Sequence, residues 1–189
     1  MKKLTLASLI MATMSAGAFA ATAPAAGDTD AATAGLKWSA TLPIVVDGQW
    51  MTLTGQGGTG SLVDGVLNIN NDGTFSSDEI VLEVRNYDEE TGATGDLFDT
   101  KTNSAKLHYS VEQVNFNADR GTDVSGVIGK VKEATFGVVD GVGVDNDANV
   151  TSWSIANANG EALPTLVGGE KVTAEAVIRV DATYIATAP

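Results

Sequence analysis

The segment from Lys171 to Thr187, KVTAEAVIRVDATYIAT, constrains the fold more than any other stretch of the chain. Val172, Ala174, Ala176, Ile178, Val180, Ala182, Tyr184 and Ala186 are apolar at strict period two, with mostly Lys171, Thr173, Glu175, Arg179, Asp181, Thr183 and Thr187 between them. A helix would scatter these side chains around its circumference, whereas a strand places all eight on one face. The segment is a long strand with one buried side, and that side needs an apolar layer to cover it.

A second alternating run lies near the other end. In DAATAGLKWSATLPIV the residues Ala32, Ala34, Leu36, Trp38, Ala40 and Leu42 are apolar at period two. Pro43 ends the run because it has no N–H to give to a ladder. Thirteen residues from Ala31 to Pro43 extend about 40 Å at ~3.3 Å per residue, enough to run the length of a two-sheet domain. Ahead of them ATAPAAGDT is small and weakly apolar and reads as a flexible leader.

Between the two runs the punctuation is that of an all-β chain. Gly occurs 21 times against 4 Pro, and Asn-Asp-Gly clusters separate short apolar runs. Strands are expected over 44–54, 62–70, 79–87, 105–117, 124–139, 142–156 and 171–187, a count that suits an immunoglobulin-like β-sandwich. Asp64-Gly65, Asp72-Gly73 and Asp140-Gly141 are candidate hairpin turns, since such pairs tolerate positive φ. The stretches Asp88 to Gly95 and Asp145 to Asn149 are expected to be solvated loops, and no repeat or linker divides the chain.

The first twenty residues place Lys2 and Lys3 before an apolar run and end in Ala18-Phe19-Ala20, the pattern of a cleavable secretory leader. The run from Leu4 to Met14 is too short for a resident membrane helix, and no later stretch replaces it. The expected organisation is a signal peptide at 1–20, a leader and N-terminal strand at 21–43, and a β-sandwich domain at 44–189. Without Lys2 and Lys3, nine of the 11 basic residues remain against 24 acidic ones, which argues against nucleic acid as a partner. Cysteine is absent although an exported chain has disulfides available to it, so stability must come from packing or assembly.

Catalytic chemistry finds little support. His108 is the one histidine, and in AKLHYSVE it shares a strand face with Ser110 and Glu112 merely through the period of two. Without cysteine, thiol chemistry is excluded, and with one histidine the common zinc sites are not expected. The pair Glu89-Glu90 sits in a glycine-containing loop, with nothing to tune it for acid–base work. Asn68, Asn70, Asp72, Gly73, Thr74, Ser76 and Glu79 fall at positions 1, 3, 5, 6, 7, 9 and 12 of an EF-hand loop. Asn replaces the leading Asp, however, and both flanks read as strands, so a β-turn is expected there rather than a metal site. Asn149-Val150-Thr151 matches a glycosylation sequon by pattern alone. No cofactor, no metal and no enzyme activity are expected.

Three segments carry a resemblance: Trp38-Ser39-Ala40-Thr41 in the N-terminal strand, Trp153-Ser154-Ile155 in a late strand, and Val180-Asp181-Ala182-Thr183-Tyr184 near the C-terminus. With the leader, the cysteine-free glycine-rich body and the alternating strand at each end, they resemble chaperone–usher pilins, most of all those of the enterobacterial common pilus. The colonisation-factor pilins are similar in plan, with an alternating strand ending at a proline. The resemblance implies an incomplete immunoglobulin-like sandwich whose groove a periplasmic chaperone fills until, at the outer-membrane usher, a neighbouring subunit's N-terminal strand replaces it.

On that pattern Ala32, Ala34, Leu36, Trp38, Ala40 and Leu42 would form the donor strand. Val172, Ala174, Ala176, Ile178, Val180, Ala182 and Tyr184 would line the acceptor groove. The expected function is that of a major pilus subunit, exported through the periplasm to the cell surface, with identical subunits as partners and no membrane insertion. The competing expectation is an exported adhesin or carbohydrate-binding β-sandwich. A tip adhesin usually carries a further receptor domain and needs no donor strand, and this chain reads as one domain with a candidate donor.

N-terminal sequencing of the exported protein is expected to begin at Ala21. A start beyond Ala34 would remove much of the candidate donor and count against polymerisation.

Overall fold

The computed structural model describes residues 23–38, 45–157 and 162–185. Within them the chain forms β1 Thr29–Lys37, β2 Val45–Val46, β3 Met51–Thr54, β4 Leu67–Ile69, β5 Phe75–Ser77, β6 Ile80–Asp88 and β7 Ala93–Leu97. There follow β8 Ala105–Ala118, β9 Gly129–Glu133, β10 Gly137–Val139, β11 Val144–Asp145, β12 Val150–Asn157 and β13 Val172–Tyr184. The helical content of the described residues is one 3-10 turn, Gln56–Gly58, and no helix among them is long and apolar enough to cross a membrane.

Two antiparallel sheets result. The first runs β11-β8-β13-β1-β2, and the second runs β10-β9-β12-β5-β4 with β6 on β12 and β3 and β7 on β6. Both contribute to one apolar core, with Leu36, Trp38, Tyr109 and Ile178 from the first sheet and Leu53, Leu82, Trp153 and Ile155 from the second. Trp153 stands at its centre, fully buried, with its indole N–H donating to Thr151 Oγ1 at 2.8 Å and its ring 6.1 Å from that of Tyr109. Burial of such rings contributes strongly to the driving force, and here both polar handles are paired, the Tyr109 hydroxyl donating to the Ala148 carbonyl.

The long alternating segment is β13, and its whole length pairs with β8 from Val172↔Ala118 to Tyr184↔Ala105. The register shifts between Val177 and Ile178, where Glu112 is the extra residue on β8. Such a bulge resets strand parity. Leu107, Tyr109 and Val111 face the core on one side of it and Val114 and Phe116 on the other, with Glu112 and Gln113 both exposed between them.

Several expected strands are interrupted. The stretch 44–54 divides into β2 and β3 around the turn at Asp47 to Trp50, and 142–156 divides into β11 and β12. The stretch 124–139 contains a hairpin, because Glu133 pairs with Gly137 and its buried carboxylate accepts the N–H groups of Thr135 at 2.6 Å and Phe136 at 3.0 Å. Strand β7 begins at Ala93, inside a segment expected to be loop. Of the three Asp-Gly pairs, Asp72-Gly73 turns a hairpin, β4 to β5, with Gly73 at φ 82°. Asp140-Gly141 instead carries the chain from β10 in one sheet to β11 in the other. Asp64-Gly65 precedes β4 and turns no hairpin; the close approach of Trp38 explains its glycine, as shown below.

Glu83 shows how loops are fastened to this framework. Its carboxylate, 8% exposed, accepts the N–H groups of Gly57 at 2.8 Å and Gly58 at 2.9 Å and pairs with Arg85 at 2.7 Å. Burial opposes its ionisation, but the Gly57 N–H and the Arg85 and Gly58 hydrogen bonds outweigh that cost and hold its pKa below the ordinary 4.5. The unfolded chain therefore binds the proton first as pH falls. Stability from this group is complete above about pH 4.5 and lost as the pH drops through the lower folded value. Thermal melts from pH 6 to 3 are expected to show a steeper acid loss for the parent than for Glu83→Gln, which is less stable at neutral pH.

Candidate strand-acceptor groove

The two alternating runs meet. β1 lies antiparallel on β13, with Ala32, Ala34 and Leu36 opposite Val180, Ile178 and Ala176, and the pairing runs unbroken from Thr29↔Thr183 to Lys37↔Glu175. On the far side β1 pairs with β2 through Thr33↔Val46 and Ala34↔Val45. The strand thus fills a slot in the first sheet of its own chain and sends Ala32, Ala34, Leu36 and Trp38 into the core, each 2% exposed or less. Of the candidate groove residues, Ala174, Ala176, Ile178, Val180, Ala182 and Tyr184 are buried and Val172 is half-buried at the groove's end. Ala40 and Leu42 lie outside the described residues.

Trp38 closes the slot at one end. Its N–H donates to the Ala174 carbonyl at 3.0 Å and its indole N–H to the Asp78 carbonyl at 3.2 Å. Gly65 admits the ring, since a Cβ there would stand 2.3 Å from Trp38 Cδ1. Burying an indole of ~150–250 Å² is worth ~4–6 kcal/mol as an upper estimate. Past Trp38 the groove continues as an open cleft lined by Val66, Leu67, Ile69, Lys171, Val172 and Thr173.

At the other end stands a residue the sequence did not single out. Asp30, 8% exposed, turns its carboxylate onto the turn between β2 and β3. Oδ1 accepts the N–H groups of Gln49 at 2.8 Å and Ala31 at 3.0 Å, and Oδ2 accepts those of Trp50 at 2.8 Å and Met51 at 3.0 Å. Gly48 lets the carboxylate in, because a Cβ there would lie 2.4 Å from Oδ1. Trp50 packs edge-on against Tyr184, with centroids 5.6 Å apart. Burial, and after it the charge of Asp30, pushes the Tyr184 phenol well above its ordinary value. The one cue in the sequence was Asp47-Gly48, a turn pair like those noted elsewhere.

The other candidates do not assemble. His108 sits on the outer face of β8, its Nδ1 2.6 Å from Asp145 and its Nε2 3.1 Å from the Val142 carbonyl, contacts that tie β8 to β11 and the turn before it. Ser110 and Glu112 are not its partners in these contacts; Glu112 meets Arg179 at 3.4 Å. In the loop with EF-hand spacing, Asp72 accepts the Thr74 hydroxyl at 2.6 Å and the Thr74 N–H at 3.0 Å, and Asn70 donates to Thr74. Among the described residues no group of three or more His, Cys, Asp or Glu side chains is placed to hold a metal. Asn149 donates its amide to the Phe98 carbonyl at 3.0 Å. Set against family models, curated proteins and solved structures, the chain has no match in any of the three comparisons.

Trp38→Ala is expected to cost about 3–5 kcal/mol in denaturant unfolding. Gly65→Ala is expected to destabilise the parent but to cost little in the Trp38→Ala background, where the ring it would strike is gone. A double-mutant cycle measures that coupling, and additive costs would contradict the contact.

Proposed function

We propose that this chain is the structural subunit of a surface filament, a pilin with an incomplete immunoglobulin-like sandwich that polymerises by passing its N-terminal strand to a neighbour. Export through the periplasm, with a chaperone holding the groove and an usher directing exchange, belongs to the same reading. So do the division into leader, donor strand and body, and a role in adhesion.

The observation that carries it is a mismatch between groove and occupant. Continued in a straight line beyond its last pair, Lys37↔Glu175, the β1–β13 register would set an incoming strand's Ala40 opposite Val172, the first residue of β13, and its Leu42 level with Glu170, which lines the cleft beyond Trp38. Val45 is fixed beside Ala34 by β2, however. Three residues span at most about 11 Å, whereas the in-line place of Leu42 is eight residues from Ala34, about 26 Å away. With β2 paired, one chain cannot fill the whole groove with its own strand. A strand from another chain is under no such constraint and brings Ala40 and Leu42 with it. Its affinity would come from nine residues of backbone pairing and its specificity from the alternate side chains, the mode of β-augmentation.

Leu36→Asp with Trp38→Asp is expected to abolish polymers, because two carboxylates would lose hydration in an apolar groove without partners. A copy of residues 31–43 joined after Pro189 by a flexible linker should restore folding as a soluble monomer, since the added strand becomes effectively intramolecular. Size-exclusion chromatography and thermal melts make the test. Unfolding of the double mutant even with the appended strand would show that 36–42 serves only as an internal strand and would overturn the proposal.

A further inference from the structure

The structure assigns to the turn Gly48–Met51 the role of a carboxylate-binding site that, paired with the indole slot at Gly65, reads the register of the strand entering the groove. The inference concerns how a strand is recognised and holds whether the strand comes from the same chain or, on the proposed reading, from a second copy.

Recognition by apolar pattern alone is ambiguous here. Ala32, Ala34 and Leu36 follow a period of two, so a slip of two residues along β13 keeps apolar side chains inward, and only odd slips turn the wrong face to the core. The backbone ladder is equally indifferent, because every residue but proline offers the same N–H and carbonyl. Something else must count residues.

Two features of the body do so. One is the set of N–H groups of Gln49, Trp50 and Met51, all within 3.0 Å of the Asp30 carboxylate in a site that leaves that residue 8% exposed. An apolar side chain there would leave the converging donors without an acceptor in a place water barely reaches, and an amide would set its own NH2 against two of them, whereas hydrogen bonds to an ionised group are the stronger kind. The other is the space above Gly65, which takes an indole because no Cβ intrudes. Asp30 and Trp38 are eight residues apart, and one register satisfies both sites. A slip of two toward Val177 brings Asp28 to the turn but carries Trp38 out of its slot. A slip the other way takes Asp30 past the N–H groups and puts Ala40 in the slot. The ligand class is therefore an extended peptide with an acid eight positions before a tryptophan and small or aliphatic residues at the alternate positions between.

Asp30 acts as a positioning residue in this scheme, and its test reads register rather than stability. The chain has no native cysteine, so introduced pairs report cleanly. Thr33 faces Arg179 in the observed register and Val177 after a slip of two. In the full chain, Thr33→Cys is combined with Arg179→Cys or with Val177→Cys, and disulfide yields are compared under mild oxidation, counting both same-chain and between-chain products.

The in-register to slipped ratio is expected to fall about tenfold for Asp30→Ala, and Asp30→Asn should do no better, because its amide would meet two N–H donors. A side chain that merely fills space would be rescued by isosteric Asn, so an unchanged ratio for Asp30→Asn overturns the inference. Should both variants fail to fold, Gly48→Ala decides: it leaves the strand's sequence unchanged and sets a Cβ against both the Asp30 carboxylate and the Ala31 carbonyl beside it, and a parent-like ratio there overturns the inference as well. Products confined to single chains with the expected fall in ratio would sink the filament reading and leave the register site standing. Between-chain ladders with an unchanged ratio would do the reverse.

Discussion

The pairing of β1 with β13 is the contact on which the first sheet depends. β13 has β8 on one side for its whole length, and its other edge is covered by β1. Take β1 away and the inward side chains of Ala174 to Tyr184 lose cover from Ala32, Ala34, Leu36 and Trp38, while an edge of nine residues loses its partners. β2 cannot substitute, since it is two residues long and pairs with β1 rather than with β13. An exposed apolar edge of that length invites pairing with other chains.

With no disulfide to fasten its loops, the chain uses carboxylates. Asp30 accepts from the turn before β3, Glu83 from Gly57 and Gly58, and Glu133 from Thr135, Phe136 and Ser152. Glu170 does the same for the loop after β8, accepting the N–H of Thr122 at 3.1 Å and its hydroxyl at 2.5 Å. Each replaces the water a loop N–H would otherwise need and spares the backbone an unpaired donor near the core. Part of the chain's acidity is therefore architectural.

The elements most legible in the sequence were those where one residue type repeats at period two. β13 and β1 declared themselves because burial on one face forces alternation, and β8 did so except at Glu112-Gln113, where two adjacent polar residues mark the bulge. The short strands β5, β7, β10 and β11 were not separately legible, since two to five residues cannot display a period and their pairing is set by the neighbours they lie against. Asp-Gly pairs announced turns without saying which strands they join: one turned a hairpin, one crossed between sheets, and the glycine of the third makes room for Trp38. Asp30 escaped notice because an acid at the start of a strand looks solvated until the turn 18 residues later folds over it.

Exchange of β1 between copies, on the proposed reading, replaces one set of contacts with an identical set. From Asp30 to Trp38 the own strand and a neighbour's are the same peptide in the same place, so those residues contribute almost nothing to the difference. What distinguishes the two states is the stretch beyond Trp38, where a neighbour's Leu42 gains up to about 1.5–3 kcal/mol by burial, against the effective concentration, of order mM, that favours a tethered strand. These opposing terms are of similar size. On that reading, a chain balanced in this way would hold its own groove shut while dilute and would form filaments when subunits are concentrated or delivered in sequence. The nine-residue ladder that must open first supplies the barrier separating the two states.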